Sequence, residues 1–115
     1  MKLFFANTSP YARKTRVVLI EKGLENRMEA VFQNPFEDSP ELTATNPLKR
    51  VPALVTDEGA AIFDSPVICA FLNDLGKGPD LIPEGASRWS VLTGEAMTDG
   101  ILDAAFAIVM ERRRD

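Results

Sequence analysis

A chain of 115 residues with 45% apolar side chains is long enough for one domain with a real core. Its net charge of −4 argues against a nucleic-acid footprint, and no apolar run approaches the ~18 residues that would suggest a membrane span. The single cysteine, Cys69, rules out an internal disulfide and fits a reducing, cytoplasmic setting, while the lack of histidine removes Ser-His-Asp and Cys-His arrangements and most zinc sites within this chain.

The first 25 residues lack the order of a signal peptide: Lys2 is followed by a brief apolar run and then a polar turn. The run Lys2–Ala6 reads as a buried strand closed by Asn7, Thr8, Ser9 and Pro10. Ser9 suits an N-cap and Pro10 the first helical position. The helix that follows packs through Val17, Val18, Leu19 and Ile20, takes polar cover from Arg13, Lys14, Arg16 and Glu21, and ends at Gly23. A second strand is expected over residues 27–33, with Met28, Ala30 and Phe32 on one face. Strand, helix and strand at this spacing make a right-handed βαβ unit with parallel strands.

Residues 34–39 read as a loop and Pro40–Thr45 as a short helix. Ala53–Thr56 and Ala60–Phe63 flank Asp57-Glu58-Gly59, a hairpin turn. Ser65-Pro66 opens a further apolar helix that ends by Gly76. The sum is an α/β pattern, βαβ-α-ββ-α. Residues 77–86 read as a linker, and a last helix runs from about Ser87 to Arg113. From Ala104 to Met110 that helix is apolar all round, so a single small domain could cover only part of it.

Pro52 directly precedes the third strand, where its missing N–H is tolerated. A cis Val51–Pro52 bond would leave the N–H and C=O of Val51 at an open strand edge able to pair with an extended peptide. A trans strand-starting proline is the alternative on spacing alone.

Three ordered motifs span nearly the whole chain: Thr8-Ser9-Pro10-Tyr11-Ala12-Arg13, then Asn46-Pro47-Leu48-Lys49-Arg50-Val51-Pro52-Ala53-Leu54, then Phe63-Asp64-Ser65-Pro66. Together they resemble the glutathione-binding half of the cytosolic, bacterial-type glutathione transferases with a serine at the active-site turn. The pattern departs once, at Lys49, where the family has glycine. The resemblance implies a thioredoxin-like domain over 1–76, a linker over 77–86, and over 87–115 the start of an all-helical second domain. The remaining helices of that domain are missing here, so a truncated product or one piece of a longer chain is expected. Such a piece would bind glutathione weakly and catalyse poorly alone. The full-length protein is expected to be a homodimer, with neither nucleic acid nor membrane as a partner and no metal.

The resemblance also implies site roles. Ser9 falls on the catalytic Ser/Cys position and would stabilise the thiolate of glutathione, the co-substrate, for attack on an electrophilic small molecule. A free thiol has a pKa of roughly 8.5, and lowering it by about two units takes roughly 2.7 kcal/mol. A hydroxyl bond to a charged sulfur offers about 1.5–3 kcal/mol and a helix N-terminus roughly 0.3–1, which suffices without a general base. The plain alternative is that Ser9 is only a cap, since Ser-Pro recurs at Ser39-Pro40 and Ser65-Pro66. Asp64 and Ser65 would hold the γ-glutamyl end, Val51 the peptide backbone, and Arg50 the glycyl carboxylate. Two rival readings remain: a non-catalytic interaction module on the same fold, and a glutathione-dependent thiol–disulfide oxidoreductase, which would need a thiol where Ser9 stands.

Overall fold

The computed structural model describes residues 1–34 and 36–114; Pro35, inside the expected loop, and Asp115 lie outside them. Strand β1 (Lys2–Phe5) pairs in parallel with β2 (Glu29–Phe32) and antiparallel with β3 (Ala53–Val55). Strand β4 (Ala61–Ile62) joins the far side of β3, so the sheet order is β2-β1-β3-β4. The helices are α1 (Pro10–Glu21), α2 (Pro40–Thr45), α3 (Ser65–Leu75) and α4 (Ala86–Arg112). This is the expected βαβ-α-ββ-α order of a thioredoxin-like domain, followed by a helix of a second unit.

Two apolar layers explain why β1 and β3 read as almost unbroken hydrophobic runs. Buried on both faces, such strands need no polar alternation. Leu3 and Leu54 point to one side, where Leu19, Leu24, Ile68 and Leu72 from the α1 and α3 regions close over them. Phe4, Ala6, Val51 and Ala53 point to the other, against Leu42 of α2. Burying one such leucine or phenylalanine is worth about 1.5–3 kcal/mol.

The second strand keeps Met28, Ala30 and Phe32 on one face, as expected, but it is shorter than residues 27–33 and most of that face is exposed. It begins at Glu29 after a 3₁₀ turn over Glu25–Arg27, and its register sets Val31 beside Phe4. Val31 therefore packs on the α2 side, and Met28 joins the opposite core. Ala30 and Phe32, on the other face of an edge strand, are exposed, and the Phe32 ring meets Phe5 edge-on with centroids 6.0 Å apart.

Two of the three Ser-Pro pairs cap helices as expected. Ser9 Oγ accepts from the Ala12 N–H at 3.1 Å, and Ser39 Oγ from the Leu42 N–H at 3.2 Å. The third pair is shifted by one residue. Asp64 is the cap of α3, its Oδ1 accepting from the Ser65 N–H at 2.6 Å, and Ser65 is the first residue inside the helix. An aspartate one position earlier can take the cap, because its carboxylate caps as well as a hydroxyl does.

Helix α1 ends at Lys22, with Gly23 at φ 65° in the left-handed conformation glycine adopts freely. Lys22 is buried, and its Nζ donates to the Pro79 carbonyl at 2.9 Å. The chain resolves into two compact units, Met1–Leu81 and Ile82 onward. In the second unit no α4 residue is buried, and Phe106, Ile108 and Val109 of its apolar run are all exposed.

Candidate functional site at one end of the sheet

Register places the sequence-predicted residues at a common end of the first unit. Phe4 faces Ala53, so two steps further Ala6 comes level with Val51, and both pack in the same core. Leu54 faces Ile62, so two steps back Pro52 comes level with Asp64. The Ser9 N–H donates to the Ala6 carbonyl at 3.1 Å, which hangs the α1 turn from the same end of β1. Ser9, Val51, Asp64 and Ser65 thus gather where β1 and β4 leave the sheet and β3 enters it.

Ser9 is half-buried and stands at the N-terminus of a 12-residue helix. Its oxygen accepts one backbone N–H, which leaves the hydroxyl proton available to a second partner. Capping and donation are compatible on one oxygen. The dipole of α1 favours negative charge at this end.

The segment before Pro52 is shaped by a residue that the sequence reading quoted without giving it a role. Asn46 is buried; its Nδ2 donates to the Arg50 carbonyl at 3.1 Å and its Oδ1 accepts from the Leu48 N–H at 2.9 Å. Its own carbonyl accepts from the Lys49 N–H at 2.9 Å. The Asn-Pro dipeptide, a turn initiator, was the available signal. Lys49 lies at φ 55°, so it adopts the left-handed backbone that a glycine would adopt at lower cost. Its Nζ meets Asp38 Oδ1 at 3.2 Å, and Arg50 is exposed beside it.

The Val51–Pro52 and Phe63–Asp64 peptide bonds are both cis. Val51 buries its side chain, and among the described residues no hydrogen bond uses its N–H or C=O. Asp64 is exposed, whereas Ser65 is fully buried. Among the described residues the Ser65 hydroxyl is the buried side-chain polar atom without a hydrogen-bond partner. A buried hydroxyl left unpaired costs about 1–3 kcal/mol. At the first turn of α3 such a hydroxyl suits an anionic group.

A cleft of about 320 Å³ opens beside Ser9, lined by Ala6, Asn7, Ser9, Arg13, Arg16, Val17 and Ile20. Of the five residues singled out from sequence it takes in Ser9 alone; Arg50, Val51, Asp64 and Ser65 lie outside its lining. Arg13 and Arg16 read in the sequence only as polar cover, because helical spacing tells which side is polar and not what that side borders. Among the described residues no group of three His, Cys, Asp or Glu side chains could hold a metal ion. No helix among them is long and apolar enough to cross a membrane.

A thioredoxin-like sheet with a capped serine turn, a buried residue before a proline and a helix-start Asp-Ser at one end defines the fold class. Within that class, residues 8–75 match the family described as "Glutathione S-transferase, N-terminal domain". The chain belongs to the glutathione S-transferase family. It is 36% identical over 115 residues to an uncharacterized GST-like protein, YibF, of Escherichia coli strain K12, covering 99% of this chain and 56% of that protein. Among solved structures it is similar to a glutathione S-transferase from Methylobacillus flagellatus KT with glutathione bound, with a TM-score of 0.89, 39% identity, and coverage of 99% of this chain and 56% of that one. A glutathione transferase family member from Pseudomonas fluorescens Pf-5, also with bound glutathione, aligns with a TM-score of 0.86 and 39% identity over 93% of this chain and 54% of that one. The chain therefore spans about half the length of these relatives.

Proposed function

We propose that this chain is the glutathione-binding portion of a glutathione S-transferase. In this reading residues 1–76 form the glutathione domain, 77–86 the linker, and 87–115 the start of a helical domain, in a cytoplasmic protein that is a homodimer at full length. The observation that carries the reading is Ser9: a half-buried hydroxyl at a helix N-terminus, holding its cap bond with one lone pair and keeping its proton for another acceptor.

Glutathione lies along Val51, whose N–H and C=O pair with the tripeptide backbone. The first turn of α3 and Ser65 take the γ-glutamyl carboxylate, Asp64 holds the ammonium, and Arg50 meets the glycyl carboxylate. The sulfur rests at Ser9. Its proton leaves to water, and the Ser9 O–H donates to the resulting thiolate. The sulfur lone pair then forms the S–C bond to an electrophilic carbon; the displaced electron pair departs with a leaving group, or, in an addition, moves to the neighbouring atom and takes a proton from water. No redox change occurs, and no metal is needed for the charge balance. Cys69 is 2% exposed on α3 and Ser9 carries no sulfur, which argues against thiol–disulfide exchange.

The test is a titration of the chain with glutathione, followed by a pH titration of the bound thiol through its ultraviolet thiolate absorbance. A bound-thiol pKa about one to two units below roughly 8.5 supports the reading. Binding with an unshifted thiol leaves the interaction-module reading in its place.

A further inference from the structure

Ser9 shares its cleft with two cations. Arg13, Arg16, Val17 and Ile20 follow the i, i+3, i+4, i+7 spacing of a single helical face, and all four line the cleft. Val17 and Ile20, expected from the sequence to pack inward, are instead about half exposed, because Ala12, Thr15 and Leu19 take the buried side of α1, so the face offers hydrocarbon as well as charge. Among the described residues no carboxylate forms an ion pair with either arginine. Yet the chain holds 17 acidic residues against 13 basic ones, so cations concentrated on one cleft wall run against the overall balance. Arg16 is also steadied: its guanidinium carbon sits 4.8 Å from the centroid of the Phe5 ring.

We propose that this cleft is the acceptor subsite and that it selects a small electrophile bearing a carboxylate or comparable anion. The anion meets Arg13 and Arg16, with the acceptor's reactive carbon toward Ser9. The inference rests on the reading that Ser9 receives the sulfur of glutathione. A neutral acceptor would gain only single hydrogen bonds from two guanidiniums, whereas an acid gains charge-assisted paired bonds whose fork geometry suits arginine. Because both cations are solvent-exposed, the attraction is screened by salt.

The experiment compares, by calorimetry on this chain, S-(2-carboxyethyl)glutathione with its amide, S-(2-carbamoylethyl)glutathione, which matches it in shape and lacks its charge. The carboxylate conjugate is expected to bind about tenfold more tightly, with the preference shrinking as salt rises. In the double variant Arg13→Gln, Arg16→Gln the ratio of the two affinities falls to near one, and in Arg13→Lys, Arg16→Lys part of it returns. Should the glutamine variant fail to fold by circular dichroism, the lysine variant and the salt series of the unaltered chain decide. Equal affinities in the unaltered chain, or a preference that survives both the loss of the arginines and high salt, overturn the inference. If the arginines instead serve glutathione itself, both conjugates weaken together and the ratio holds, which also overturns it. Glutathione binding without charge discrimination sinks only this inference; glutathione failing to bind sinks the underlying reading, and this one with it.

Discussion

Capping and catalysis at Ser9 can be separated by two substitutions that differ in one respect. Ser9→Ala removes the acceptor for the Ala12 N–H and should cost about 1 kcal/mol, whereas glycine at an N-cap costs only a few tenths relative to serine. For a unit of this size 1 kcal/mol moves the midpoint of melting by about 4–8 °C, so the alanine variant should melt measurably earlier and the glycine variant close to the original. Both variants lose the same O–H. If it donates to the sulfur of bound glutathione, each loses about 1.5–3 kcal/mol of thiolate stabilisation, and the bound-thiol pKa rises by about one to two units in both. The assays are thermal melting and the ultraviolet pH titration of bound glutathione. A thiol pKa that stays low in the glycine variant, or that follows the melting temperature across the two, refutes the catalytic role and leaves Ser9 a cap.

Three further outcomes are expected. Ser65→Ala removes a buried hydroxyl that has no partner, so stability in denaturant should hold or rise by up to about 1 kcal/mol while glutathione affinity falls; lost stability with unchanged affinity would contradict the proposed role. Lys49→Gly relieves a left-handed backbone worth about 1–2 kcal/mol, offset by roughly 0.5–1 of unfolded-chain entropy, for a net gain near 0.5 kcal/mol in urea unfolding that Lys49→Ala should not reproduce. The hydrogen bond and charge of the chain's amino group at 2.7 Å, with Arg27 behind them, hold the Asp57 carboxyl below its ordinary value. That stabilisation is present above the unfolded-state pKa and lost as pH falls through the lowered one, so the stability gap between the original chain and Asp57→Asn should be open at neutral pH and close in acid.

Where local grammar and burial agree, the sequence was a good guide. The apolar run around Leu3-Phe4 announced a buried strand, Ala53–Thr56 one arm of a hairpin, and Ser9-Pro10 and Ser39-Pro40 helix starts. Grammar misled where two residues competed for one role, as Asp64 and Ser65 did for the cap of α3. At β2 it was incomplete, because alternation gives a strand two faces without telling which faces the core; the parallel register with β1 set Val31 inward beside Phe4 and left Ala30 and Phe32 exposed. Of the candidate site, residues could be nominated from the sequence but their surroundings could not. The left-handed turn at Lys49, the orphaned hydroxyl of Ser65 and the cationic wall of Arg13 and Arg16 all depend on neighbours distant in the chain or on backbone angles that no pattern of residue types encodes.

The Asn46 amide has a consequence for how such a protein can change. It grips the following turn from inside, through main-chain atoms only, so the side chains at positions 48, 49 and 50 contribute nothing to that grip and point outward. Mounting and display are thereby divided between different residues. Charge at the rim can be swapped, reversed or erased over generations while the scaffold keeps its outline, and new ligands can be tried without rebuilding the frame.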